Sequence, residues 1–142
     1  MKNIFEVIRG TVYPFDVLVS INQTDDEFYS EVGHLSDDNL EEVFLNLDET
    51  VLARSYFTKN NVSIVRFVNI DKDDIPHGLI SHEALHITSY MLNKVGINFN
   101  FETEEACAYL LQYIVDNIYL IIKKQQDETN SSRMVNKRNV KT

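Results

Sequence analysis

Two segments in the second half of the chain carry apolar residues at the three-to-four-residue spacing of an α-helix. The first runs from Leu79 to Val95, and its predicted core-facing stripe is Ile80, Ala84, Ile87, Met91 and Val95. The second opens near Thr103 and continues to the lysines at 123 and 124. Because only Gly96 to Glu102 connects them, we expect the two helices to pack as a hairpin.

Local signals mark the ends of these two helices. Asp74 is the predicted N-cap of the first helix, Pro76 fits its first turn, and Gly96 stops it. Thr103 is a possible cap of the second helix, whose acidic start and basic end suit the helix dipole.

Shorter apolar runs in the first half predict strands at Phe15 to Ile21, Val51 to Phe57 and Val62 to Val68. The polar residues at 59–61 between the last two runs predict a hairpin turn. The order of strand, helices, hairpin and two further helices predicts an α+β fold with a small antiparallel or mixed sheet.

Two short helices are predicted between the first strand and the hairpin. Thr24 and Glu27 form a capping box for one that ends near Gly33. Ser36 could cap another that runs through Phe44.

Composition and charge narrow the class of protein. With 142 residues and 44% hydrophobic content, residues 1–125 are expected to form a single domain, and the polar, basic residues 126–142 a disordered tail. The net charge of −9 disfavours membrane and nucleic-acid partners, except for RNA or an acidic partner at the tail. No apolar run is expected to cross a membrane, and Met1 to Gly10 lacks the features of a secretory signal peptide. Cys107 is the single cysteine, so no intrachain disulfide can form. We therefore expect a cytoplasmic protein.

The sequence from His82 to His86 is HExxH and lies within the first of the two long helices. Residues four apart on a helix project from the same side, so His82 and His86 can bind one metal ion. Glu83 would flank that ion and could take a proton from a metal-bound water. This spacing is typical of zinc hydrolases.

A catalytic zinc ion takes three protein ligands and keeps one open position. A glutamate in the first turn of the second helix would complete a His, His, Glu site. Glu104 follows the more apolar stripe of that helix, whereas Glu105 lines up with Tyr109 and Gln112. These residues alone leave both glutamates open as the third ligand.

The helix pair, with HEALH in its first helix and EEACAYLLQYI in its second, resembles the active-site core of the gluzincin metallopeptidases. Most of residues 12 to 120 is similar to uncharacterised small bacteriophage proteins of zincin-like type. This resemblance implies that His82 and His86 are zinc ligands and that Glu83 is the general base. It favours Glu105, which precedes an alanine as in that family, as the third ligand, with Glu104 as its rival.

The resemblance implies a peptidase that uses one Zn²⁺ ion and acts on a protein or peptide substrate in the cytoplasm, which is the host cytoplasm for a phage-encoded chain. Val62 to Val68 is the candidate edge strand along which an extended substrate would pair. Two alternatives stay open. One is a catalytically inactive, zincin-fold binding or virion-associated protein, and the other is a metal-free helical-hairpin interaction module.

Overall fold

A four-stranded mixed sheet forms one layer of the computed structural model, which describes residues 3–10, 12–35, 52–58, 60–71 and 73–138, with side chains as far as residue 124. Its strands are β1 (Ile4–Ile8), β2 (Asp16–Ile21), β3 (Ala53–Phe57) and β4 (Val62–Phe67). Their spatial order is β1-β2-β4-β3, with β2 and β4 parallel and the other neighbours antiparallel. The predicted α+β fold with a small mixed sheet is confirmed.

The strands form where the sequence alternates between two buried faces. Val65 and Phe67 of β4 pack on the side of the long helices, and Ile64 packs on the opposite side. The hairpin between β3 and β4 turns at Asn61, whose φ of 57° is a left-handed conformation that asparagine tolerates. β1 was not predicted from the sequence.

The helix α1 (Asp25–Val32) covers the face of the sheet opposite the long helices. Thr24 is its N-cap, and the predicted capping box is confirmed, because the Thr24 hydroxyl accepts from the Glu27 N–H while the Glu27 carboxylate accepts from the Thr24 N–H. Phe28 and Val32 form a small second core with residues of β3 and β4. The helix predicted from Ser36 to Phe44 lies outside the described residues.

The helices α2 (His77–Lys94) and α3 (Glu104–Arg138) pack together as the predicted hairpin. The predicted core-facing stripe of α2 is buried from Ile80 to Met91, but its last member, Val95, is exposed. Seven buried apolar side chains of the pair belong to the same cluster as those of the sheet: Ile80, Ala84, Ile87, Met91, Ile114, Ile118 and Ile122. The main core therefore lies between the sheet and the hairpin.

The ends of α2 differ in how well the sequence predicted them. Pro76, and not Asp74, occupies the N-cap, and it provides no side-chain hydrogen bond. Asp74 instead forms an isolated bridge with Asp71. Gly96 ends the helix as predicted, with a φ of 79°. The Ile97 N–H bonds to the Leu92 carbonyl at 2.8 Å, which gives the Schellman arrangement.

The start of α3 depends on a polar loop. The Thr103 hydroxyl donates to the Asn98 carbonyl and accepts from the Asn100 N–H at 3.1 Å. The Asn100 side chain in turn accepts from the N–H groups of Glu102 and Thr103. The hydroxyl that was predicted to cap α3 therefore fixes the connecting loop.

The far end of α3 extends beyond the predicted domain boundary. The backbone is helical through Arg138, where sequence analysis predicts a disordered tail from residue 126. Residues 126–138 contain neither glycine nor proline, so no residue in this stretch strongly opposes continuation of the helix.

One segment of α3, Glu104–Lys124, has the length and composition of a helix that could cross a membrane, and 22% of its apolar window is buried. We expected no apolar run that could cross a membrane, and by length and composition alone this segment is one. Core helices of soluble proteins pass the same test, and Ile114, Ile118 and Ile122 lie in the core of this domain. The chain is a small folded domain and is not clearly a membrane protein.

The capping box gives a first test of the fold. Replacing Thr24 with alanine is expected to lower the free energy of unfolding by about 1 kcal/mol, because the Glu27 N–H loses its acceptor. Chemical denaturation measures the change. Ser30→Ala, which removes an exposed hydroxyl from inside the same helix, should leave the stability unchanged or slightly raised. Equal losses in both variants would contradict the cap.

The carboxylate of the capping box adds a pH dependence. The backbone N–H of Thr24, followed by the Asn3 amide, holds the pKa of Glu27 below its ordinary value of 4.5. A lowered folded-state pKa stabilises the protein above pH 4.5, and the effect is lost as the pH falls through the folded-state value. Glu27→Gln should remove this part of the acid-induced loss of stability, which denaturation curves across the acid range would measure.

Candidate metal and catalytic site

His82 and His86 lie one turn apart on the exposed side of α2, as the HExxH spacing predicts. Their Nε2 atoms are 3.1 Å apart, and the two rings meet edge to face with centroids 4.7 Å apart. Two nitrogens that bind one tetrahedral zinc ion are separated by about 3.3 Å. The separation also fits an N–H···N hydrogen bond between two neutral imidazoles. The distance is therefore compatible both with two donors to one metal ion and with a direct hydrogen bond.

Glu83 lies on a different side of α2 from the two histidines. Its side chain is only 6% exposed and faces β3, where the Ser55 hydroxyl donates to its Oε2 at 2.6 Å. The residue predicted as the general base is therefore a carboxylate held between the helix and a strand. Ser55 was not predicted as a site residue, because a lone serine within a strand carries no spacing signal.

Tyr90 makes two contacts that hold α2 against β3 and the residue that follows it. The rings of Phe57 and Tyr90 stack with centroids 4.2 Å apart and an interplanar angle of 20°. The Tyr90 hydroxyl donates to the Thr58 carbonyl at 3.1 Å. These contacts fix the distance between the helix and the strand at Glu83.

The strand beside the HExxH helix is β3 and not the predicted one. β4, which contains most of Val62 to Val68, is an inner strand that pairs with β2 and β3 on its two sides. Within the described ranges, β3 pairs only with β4 and is an edge of the sheet. The prediction failed because strand order depends on pairings between distant segments, which the hydrophobic pattern does not encode.

Glu105 and Glu104 both lie exposed in the first turn of α3. Neither is brought to the histidines: in the part of the chain that the structure describes, no group of three or more His, Cys, Asp or Glu side chains could hold a metal ion. The structure thus brings together two of the predicted ligands and leaves both candidates for the third apart from them.

The hairpin geometry explains this separation. A short connection places the first turn of α3 beside the last turn of α2, where Cys107 and Leu92 line one small cavity. His86 precedes Lys94, the last residue of α2, by eight residues, which is roughly 12 Å along a helix axis. The contact of His77 with Tyr119 shows that the start of α2 lies beside a much later part of α3. Residues near 112–116, and not 104–105, share the level of the two histidines.

The sides of the helices separate these groups further. α2 buries Ile80, Ala84, Ile87 and Met91, whereas His82 and His86 are exposed and lie on the other side of the helix. A carboxylate from α3 would have to pass around α2 to reach them. The two histidines are therefore separated from residues 104–105 both along the axis of the hairpin and around the axis of α2.

Comparison of the chain with protein-family models, with curated proteins and with solved structures gives no match. The resemblance to gluzincin metallopeptidases stays a prediction from the sequence motifs.

Proposed function

We propose that this protein is a zinc-dependent peptidase whose metal is held by His82 and His86. The observation that carries the proposal is the 3.1 Å approach of the two Nε2 atoms on an HExxH helix whose Glu83 faces an edge strand. Chance placement of two histidines does not require that they converge, or that the glutamate between them faces a strand that can pair with a peptide. The substrate is a protein or peptide.

Each residue of the site has a separate role in this proposal. Bound zinc would polarise the scissile carbonyl and acidify a water molecule. Glu83 accepts a proton at Oε1, the oxygen other than the one bonded to Ser55, and later donates it to the leaving nitrogen. Ser55 orients the carboxylate. An extended substrate pairs along β3, so that its backbone passes the Glu83 carboxylate.

The third ligand is Glu105 in this proposal, with Glu104 as the rival. Ligation by either would require a change in how the start of α3 packs on α2. The separation of these glutamates from the histidines favours a second candidate function, a zincin-like protein that binds metal through His82 and His86 without hydrolysing peptides. An open pair of imidazoles binds zinc more weakly than a three-residue site.

We place this activity in the cytoplasm, which is that of the host for a phage-encoded chain. The acidic charge of the chain, −9, repels phosphate groups, so nucleic acids and membrane surfaces are not its proposed substrates.

Metal content tests the ligands directly. Protein purified without chelator is expected to carry near-equimolar zinc, as measured by elemental mass spectrometry. His82→Ala and His86→Ala should each lose it, because one remaining imidazole is a poor site. His34→Ala is the matched control. Because His34 lies in the short 3-10 helix after α1, this variant should bind as much zinc as wild type.

The two glutamates are separated by the same measurement. Loss of zinc in Glu105→Ala alone supports Glu105, and loss in Glu104→Ala alone supports its rival. Zinc retained by both variants would show that neither glutamate is by itself a required ligand. Wild-type protein without zinc, whose melting temperature does not change with chelator, would contradict the proposal and favour the metal-free interaction module.

A further inference from the structure

A second feature of the molecule lies at the opposite end of the sheet from β3. A cavity of about 370 Å³ opens between the β1–β2 connection, α2 and α3. Its deep walls are apolar: Ile8, Phe15, Val17, Met91, Leu110 and Ile114. None of His82, Glu83 and His86 lines it. Its volume falls within the range of natural small-molecule sites, about 300–1,000 Å³.

Polar contacts fix the wall that the β1–β2 connection forms. The Gly10 N–H donates to Asp16 Oδ1 at 3.2 Å, and the Arg9 guanidinium pairs with the same carboxylate at 2.5 Å. The Tyr113 hydroxyl of α3 donates to the Arg9 carbonyl at 2.7 Å. These bonds tie the connection to β2 and to α3, so the cavity is formed before any ligand enters.

Gly10 is required for this arrangement. A Cβ atom at this position would lie 2.2 Å from the carbonyl oxygens of both Tyr13 and Phe15. Only glycine allows the connection to fold back on itself so closely. The shape of this cavity wall therefore depends on glycine at position 10.

The chemistry of the lining selects the kind of ligand. Among the described residues that line the cavity, Arg9 is the one with a charged side chain, and its charge is balanced by Asp16. At the mouth, Tyr109 is 69% exposed and Val12 is 82% exposed, so a bound molecule would cover apolar surface that now faces water. The lining therefore favours an uncharged ligand over an anion or a cation.

We propose that this cavity binds an uncharged, apolar small molecule with an aromatic or branched aliphatic body. Tyr109 and Val12 close over its outer side, and the isoleucine and leucine side chains of the deep wall contact its inner side. This site does not depend on the proposed peptidase activity or on metal.

Two fluorescent dyes that differ by one charge test the proposal. N-phenyl-1-naphthylamine is neutral, and 1-anilinonaphthalene-8-sulfonate carries a sulfonate on the same ring system. Full-length protein is expected to bind one neutral dye molecule saturably, at least tenfold more tightly than the anionic dye, and to melt at a higher temperature with the neutral dye present. No saturable binding, or tighter binding of the anion, would overturn the proposal.

A matched pair of variants locates the dye. Ala106 lines the cavity and Ala108 is exposed on the same helix. Ala106→Trp should fill the cavity and weaken binding of the neutral dye at least tenfold, whereas Ala108→Trp should bind as wild type does. Phe101→Ser, which removes an exposed ring outside the cavity, should also leave binding unchanged. Equal binding by both tryptophan variants would place the dye elsewhere and refute the site.

If circular dichroism shows that Ala106→Trp is unfolded, a further variant tests the position of the ligand. Tyr109→Ala removes a largely exposed side chain at the mouth, so the core is kept. It is expected to weaken binding of the neutral dye severalfold. Unchanged binding in this variant would overturn the proposed position of the ligand.

Discussion

Peptide cleavage by the Glu83→Gln variant is expected to fall at least a hundredfold below wild type, with bound zinc and melting temperature unchanged. Glutamine has nearly the same size, and its side-chain oxygen can still accept the hydrogen bond from Ser55. It cannot take up a proton, and general acid–base catalysis contributes about 10²–10⁴-fold. Initial rates on a library of unfolded peptides would measure the loss.

Controls separate the proposed chemistry from other causes. Glu102→Gln makes the same substitution at an exposed position outside the site and should keep full activity. Equal degradation of the library by wild type and Glu83→Gln would indicate a contaminating protease or no activity, and would reject the peptidase. If zinc binds at His82 and His86 while no cleavage is seen, the second candidate function gains support.

Ser55 is a positioning residue in the same proposal, since it contacts Glu83 and not the reacting atoms. Ser55→Ala should lower kcat more than it changes KM, because the carboxylate loses its orienting donor. Ser55→Thr, which keeps a hydroxyl, should restore part of the rate.

Three features of the helices could be predicted from the sequence because their signals are local. The capping box at Thr24, the stop at Gly96 and the stripe from Ile80 to Met91 each depend on residues within a few positions of one another. The convergence of His82 and His86 is local in the same sense. One helical turn fixes the relative positions of their two backbones.

Features that depend on distant pairings were not predicted. Among the described strands, β4 is internal because it pairs with both β2 and β3, and β3 lies at an edge. No pattern within these strands specifies those partners. The Ser55–Glu83 contact joins residues 28 positions apart and follows from that strand order. The separation of the third ligand could have been predicted from the sequence. The short connection places residues 104–105 beside the end of α2, and the helical rise of about 1.5 Å per residue puts His86 far from that end. The motif predicts a His, His, Glu set, and the packing of the hairpin keeps both glutamates away from the histidines.

The register has a further consequence for the two proposed sites. α2 faces β3 through Glu83 and Tyr90, and it contributes Met91 to the cavity at the β1–β2 end. Tyr90 and Met91 are adjacent in sequence but lie on different sides of this helix. The same helix therefore contributes residues to both proposed sites.

Phe67→Ala is expected to lower the free energy of unfolding by about 3–5 kcal/mol, which is the usual cost of removing a buried phenyl ring. Phe67 is 1% exposed at the end of β4, where it pairs with Ile21 and Ala53 and packs in the main core. Small domains have total stabilities of about 5–15 kcal/mol, so this single change removes a large fraction of the total.

Phe101→Ala makes the same change at a side chain that is 93% exposed, and it should alter the stability by less than about 0.5 kcal/mol. Urea denaturation of both variants, with equal slopes, measures the difference. Should Phe67→Ala prove unfolded, Ile114→Val provides a milder test in the same core, with an expected loss of about 0.5–1.5 kcal/mol. Equal stabilities for the two variants would show that the ring of Phe67 does not lie in a packed core. The sheet would then not pack on the α2–α3 hairpin as described, and both proposed sites depend on that packing.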